Sequence, residues 1–152
     1  MDESLKKVYS SLSNLCSKQE CCSRDIYRKA LRKLDGDEQG AAEVVAELVR
    51  EKYVDDFRYA SAFAREKSSI TGWGPVKIIY ALAAKGIDRS IAQEALGEID
   101  SDRADEKLLK VVTAKAKALE GDPQARLKLI KFALTRGYEY SQIENLLRNF
   151  KL

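Results

Sequence analysis

Apolar residues in this chain recur at spacings of three and four. The period-two alternation of β-branched residues that a half-buried strand needs is missing. Stripes such as Leu5-Val8-Leu12-Leu15, Ala41-Val44-Val45-Leu48, Leu108-Val111-Val112-Leu119 and Ile143-Leu146-Leu147-Phe150 run from end to end. Nine stripes of this kind predict nine helices and an all-α fold. Only two prolines and eight glycines interrupt 152 residues, which leaves room for long elements. Hydrophobic residues at 45% suffice for a core, and charged residues at 34% suit a chain with much helix surface to solvate.

Helix punctuation agrees with the stripes. Ser23 and Asp55 are placed to cap the second and fourth helices. Gly74-Pro75 puts proline at a first helical position, where its missing N–H costs nothing, and Asp122-Pro123 repeats the device at the eighth helix. Trp73 and Ile78 have the spacing of a hydrophobic staple. Gly86 and Gly137 sit where a left-handed C-terminal residue is wanted, each preceded by a base, Lys85 or Arg136.

These two glycines reveal an internal repeat. With Gly86 set against Gly137, Ile79 meets Ile130, Lys85 meets Arg136, Ile87 meets Tyr138 and Leu96 meets Leu147, without a gap. Ser90 to Gln93 then falls on Ser141 to Glu144, both of capping-box form. A looser copy lies near the N-terminus: a helix at 23–34, an irregular Asp35-to-Gly40 loop and a helix at 41–52. Three three-helix units, at 1–54, 55–99 and 100–152, fit the length, and units that cannot each bury a full face tend to stack. The expected shape is an elongated, curved array.

Several function classes fall away. Histidine is absent, so no Ser-His or Cys-His dyad and no His-liganded metal site can be built. Cys16, Cys21 and Cys22 are odd in number and lack the C-x-x-C spacing, which predicts free thiols on or near an early helix. No apolar run approaches a membrane span, and the start lacks the order of a signal peptide, so a cytoplasmic protein is expected. No catalytic residue, metal or cofactor is predicted.

Net charge is +3, unevenly spread. Residues 1–56 hold 10 Lys/Arg against 12 Asp/Glu, whereas residues 107–136 hold 8 bases against Glu120 and Asp122. The repeat organises part of this charge: Lys77 is equivalent to Lys128, and Lys85 to Arg136. With Arg89 and Lys131 these bases form a candidate contact set for a partner or DNA, on what reads as a ridge along each helix, although solvated helix surface explains them alone. Trp73 offers a face on which a base can stack, but the staple accounts for it without a ligand. Asp55 and Asp56 suit a helix start better than a metal or an acid–base pair, because adjacent helical positions diverge by about 100°.

The string Tyr53-Val54-Asp55-Asp56-Phe57-Arg58-Tyr59-Ala60 resembles the signature of the RecX family of recombinase regulators. So do Gly72-Trp73-Gly74-Pro75, Lys85-Gly86-Ile87, and Phe132-Ala133 with Arg136-Gly137-Tyr138, Ile143 and Leu147. There are departures: Lys52 stands where the family usually has glycine before the aromatic, and the acidic first unit has Leu34-Asp35-Gly36-Asp37 in place of a base-Gly-aromatic turn. The resemblance implies tandem three-helix repeats, with the signature residues mostly structural. It also implies a regulator in DNA repair, recombination and the SOS response. Such a protein binds the RecA–DNA filament and damps its ATPase, strand-exchange and coprotease activities, most simply as a monomer. The competing reading is a stand-alone DNA-binding module of helix-turn-helix type, but the short helices Ile91–Leu96 and Ile143–Phe150 carry few of the Asn, Gln and Arg residues that read base edges.

Bases spread along helices predict weak, sequence-insensitive binding to DNA alone. With about 3–5 phosphates engaged, affinity should fall by tens to hundreds of fold over a fourfold rise in salt. A titration at two ionic strengths checks this, and tight sequence-selective duplex binding at physiological salt would support the competing reading.

Overall fold

The computed structural model describes residues 1–148 and 150, and these form nine α-helices, one π-helical turn and no strand. The first unit holds α1 (Glu3–Lys18), α2 (Ser23–Lys33) and α3 (Glu38–Arg50). The second holds α4 (Asp56–Glu66), the π-helical turn (Lys67–Thr71), α5 (Pro75–Ala84) and α6 (Arg89–Leu96). The third holds α7 (Ser101–Ala118), α8 (Ala125–Thr135) and α9 (Tyr140–Leu147).

Each unit buries its own core. Leu5, Leu12, Ile26, Val44 and Leu48 centre the first. Ala60, Ala64, Ile78, Leu82 and Ala95 centre the second, and Leu108, Val112, Leu129, Ile143 and Leu147 the third. The accessible surface is 9478 Å², against roughly 7,700 Å² for a compact monomer of this mass. Three small cores in a row account for the excess, and the chain is elongated as the repeat predicts.

Local signals place most helix ends, and the structure moves several of them. Asp55 caps α4 by accepting the Arg58 N–H at 3.0 Å, and Gly74-Pro75 opens α5 as read. Ser23 caps nothing: it is the first residue of α2, and its N–H and hydroxyl donate to Asp56 Oδ1 and Oδ2 at 2.8 and 2.7 Å. The second acid of the Asp-Asp pair therefore closes the start of a helix in the preceding unit. Neither expected capping box forms at its serine. α6 starts from Asp88 and α9 from Glu139, whose N–H donates to Gln142 Oε1 at 2.9 Å. Asp122 and Pro123 precede α8 by a turn in which Asp122 accepts the Gln124 N–H at 2.8 Å. The first-unit loop is shorter than expected, since Asp37 caps α3 by accepting the Gly40 N–H at 3.0 Å and the helix begins at Glu38. All three cysteines are free and buried, and Cys22 packs into the second core rather than the first.

The two junctions between units follow one plan with different chemistry. At the first, the Lys85-Gly86 turn closing α5 lies on the start of α2, where a Cβ on Gly86 would stand 2.7 Å from Arg24 Cδ. Lys85 Nζ pairs with Asp25 Oδ2 at 3.0 Å, and Arg58 Nε with Glu20 Oε2 at 2.6 Å. Burial raises the Asp25 carboxyl, but the hydrogen bonds from Lys85 and Cys22 outweigh it and hold the group below its usual range. The same hydrogen bond and charge raise the Lys85 ammonium. At the second junction, the Arg136-Gly137-Tyr138 turn closing α8 lies on the start of α5. The Gly74 N–H donates to the Arg136 carbonyl at 2.7 Å, and the Val76 N–H to the Gly137 carbonyl at 2.9 Å. Arg136 Nη1 donates to the Thr71 carbonyl at 2.9 Å, and the buried Tyr138 hydroxyl to the Gly72 carbonyl at 3.0 Å. Burial pushes the Tyr138 phenol up to about 12, against the opposing pull of Arg136, so it stays a donor at neutral pH. Glycine is obligatory on both sides: a Cβ on Gly137 would meet Lys77 N at 2.5 Å, and one on Gly74 would meet Gly137 O at 2.4 Å.

Two stability predictions follow from these turns. Lys52 has φ +66°, the left-handed conformation that glycine adopts at φ +78° and +91° after α5 and α8. The Tyr53 N–H closes the turn onto the Leu48 carbonyl at 2.9 Å, as Ile87 does onto Leu82. The Lys52 side chain is exposed, so Lys52→Gly should relieve strain at little loss, stabilise by about 0.5–1 kcal/mol and raise the melting temperature by about 1–4 °C. Tyr138→Phe leaves the buried Gly72 carbonyl without its donor and should cost about 1–2 kcal/mol. Thermal melts of the two variants beside the parent check both signs.

Candidate functional site

The second junction leaves a groove of about 680 Å³ on its flank, between the start of α5 and the facing sides of α7 and α8. Thr71, Trp73 and Lys77 line one wall, Lys115 comes from α7, Lys128, Lys131, Phe132 and Thr135 come from α8, and Arg136 from the turn that closes it. Five of these nine side chains are cationic and none is acidic. The repeat explains part of the convergence. Docking the Arg136-Gly137 turn against Lys77 brings the base in the first turn of α5 beside the base that closes α8.

Two aromatic rings organise the bases. Lys77 Nζ lies 4.5 Å from the centroid of Trp73, and Lys67 Nζ, from the π-helical turn, lies 4.8 Å from it. Lys115 Nζ and Arg136 Cζ lie 5.5 and 5.1 Å from Phe132. Each ring thus attracts two cations through its electron-rich face. Trp73 is half-buried, packs against the second core and also lines the groove. Lys128 also pairs with Asp122, 2.5 Å away outside the groove lining.

Of the six bases singled out from sequence, Lys77, Lys128, Lys131 and Arg136 meet here. Lys85 and Arg89 do not line the groove. Lys85 is held by Asp25 at the first junction, and Arg89 stands at the start of α6. The expected pair of equivalent ridges is therefore one groove and one ion-paired junction, because the first unit offers an acid where the second offers a carbonyl. The Tyr53-to-Ala60 string acts in the fold. Asp55 and Asp56 cap two helices, Arg58 reaches Glu20 and the Tyr53 carbonyl, Tyr59 stacks on Phe63 at 6.1 Å, and Ala60 is fully buried.

Sequence reasoning missed Lys115, Lys67 and Phe132 as parts of one site. Lys115 is visible in the basic count over 107–136, but its place opposite Phe132 depends on how α7 packs on α8. Among the described residues no group of three or more His, Cys, Asp or Glu could hold a metal, and no helix is long and apolar enough to cross a membrane.

Residues 55–96 match the family described as RecX, second three-helix domain. Regulatory protein RecX of Bacillus mycoides is 27% identical over 152 residues, which cover 99% of this chain and 56% of that protein. Its counterpart in Clostridium tetani is 27% identical over 128 residues, covering 82% and 58%. The chain spans a little over half the length of these relatives. The crystal structure of RecX from Lactobacillus salivarius superposes with a TM-score of 0.84 at 25% identity, covering 97% of both chains. A second RecX crystal structure, at 23% identity and a TM-score of 0.85, covers 97% of this chain and 73% of its own, and shares the fold. In sequence, fold and the second-unit signature, the chain is similar to regulatory proteins of the RecX family.

Proposed function

We propose that this protein is a non-enzymatic regulator that binds the RecA–DNA nucleoprotein filament and lowers its ATPase, strand-exchange and coprotease activities, acting as a monomer in the cytoplasm. The observation that carries the reading is the similarity to RecX proteins over 99% of the chain, through all three units. The groove supports it, since a surface of five bases without an acid suits a target that combines DNA phosphates with protein carboxylates. Lys77, Lys128, Lys131 and Arg136 are the proposed contacts, joined by Lys115. Lys85 is proposed to act through the fold.

The stand-alone DNA-reader alternative fares worse. Helix-turn-helix readers present base-specific side chains along one recognition helix. Here the bases gather where units meet, from three different helices, and α6 and α9 contribute none to the groove.

A RecA ATPase assay on single-stranded DNA tests the proposal. Titration of this protein at substoichiometric ratios should slow hydrolysis progressively, with the effect weakening as salt rises. Unchanged hydrolysis up to a one-to-one ratio at low salt would refute it.

A further inference from the structure

We infer that the groove between the second and third units seats the sugar–phosphate backbone of a DNA strand and holds it by charge, without stacking its bases. The inference deepens the filament-binding reading and rests on it. Five cations from α5, α7, α8 and the turn that closes α8 line the groove with no carboxylate among the lining residues. Four of them lack the ion pair that Lys128 makes with Asp122, so the groove calls for a ligand carrying several negative charges in a row. The groove is an open trough along the junction, which suits a strand passing through more than a nucleotide enclosed on all sides.

The two rings decide how the strand is held. Trp and Phe lining a basic groove ordinarily serve as stacking platforms. Here each ring already carries two cations: Lys67 and Lys77 on Trp73, Lys115 and Arg136 on Phe132. A base seated on either ring must displace ammonium or guanidinium groups, and would remove the charges that attract the strand. The rings act instead as positioning residues that hold the cations at the groove. Arg136 is fixed further by its bond to the Thr71 carbonyl, which engages one Nη1 proton and leaves other guanidinium donors for a phosphate. Ordering these side chains before binding lowers the entropy lost when a phosphate arrives. The resulting contact is blind to sequence.

Direct binding of the full chain at low salt tests this, with a labelled oligothymidylate and an oligomer of the same length whose sugars all lack bases. The two should bind within about threefold of each other. Both should weaken along one log–log salt slope of about −3, as expected for four or five phosphates on a single strand. Lys115→Glu with Lys131→Glu should weaken both at least tenfold. Lys110→Glu with Lys117→Glu, equal in charge and on α7 outside the groove, should cost much less, with circular dichroism confirming the helix content of both variants. A tenfold or greater loss on removing the bases would overturn the inference, because the rings would then be stacking. Equal losses from the two double variants would overturn the groove assignment, and so would inorganic tripolyphosphate binding as tightly as the oligomer. If neither oligomer binds while RecA hydrolysis is still slowed, the strand seat is refuted and the filament reading stands on protein contacts alone.

Discussion

The array depends on one contact: a turn that ends the middle helix of one unit lies directly on the first turn of the middle helix in the unit before it. At the second junction the backbones come so close that neither Gly74 nor Gly137 has room for a Cβ. Two main-chain hydrogen bonds then cross the joint, from Gly74 to Arg136 and from Val76 to Gly137. These two N–H groups belong to the start of α5, where no partner exists within the helix. The docking turn thus satisfies donors that a lone unit leaves open. This gives a physical reason for stacking beyond the burial of apolar surface. It also explains why proline at 75 is tolerated, since the position between the two donors needs no N–H.

The same plan at the first junction is carried by side chains. Asp56 takes the place of the backbone carbonyls and closes the start of α2 by accepting from Ser23. Lys85 takes the place of Arg136 but meets a carboxylate, because the acidic first unit presents Asp25 there. Pairs exposed to this degree contribute little each, commonly under about 1 kcal/mol. The fixed points of the joint are therefore Cys22, buried in the second core, and the two hydrogen bonds at Asp56.

What the sequence makes legible is what local rules control. The apolar spacing shows the helices, and the offset between Gly86 and Gly137 shows the repeat, because both follow from the geometry of one helix and one turn. Lys52 was visible as a departure from glycine, and its positive φ shows that the turn geometry persists after the residue suited to it is gone. Three of the failures have a common origin. Ser23, Asp56 and Lys85 each satisfy a partner at least 33 positions away, and nothing in the neighbouring residues distinguishes that from a local cap. The same holds for the groove. Lys77 and Lys128 share a repeat position, yet Lys77 lies over Trp73 and Lys128 beside Asp122.

That asymmetry links the charge pattern to where a ligand can bind. The repeat copies its turn base into the second and third units, but the partner that base meets depends on the unit before it. In front of the acidic first unit the copied base is neutralised at the joint. In front of the second unit, which offers a carbonyl at the same place, Arg136 finds a dipole and a ring that position it without cancelling its charge. Two successive units of nearly the same plan therefore give one closed, ion-paired joint and one open, cationic groove. The acid-rich first third of the sequence fixes which joint remains positive.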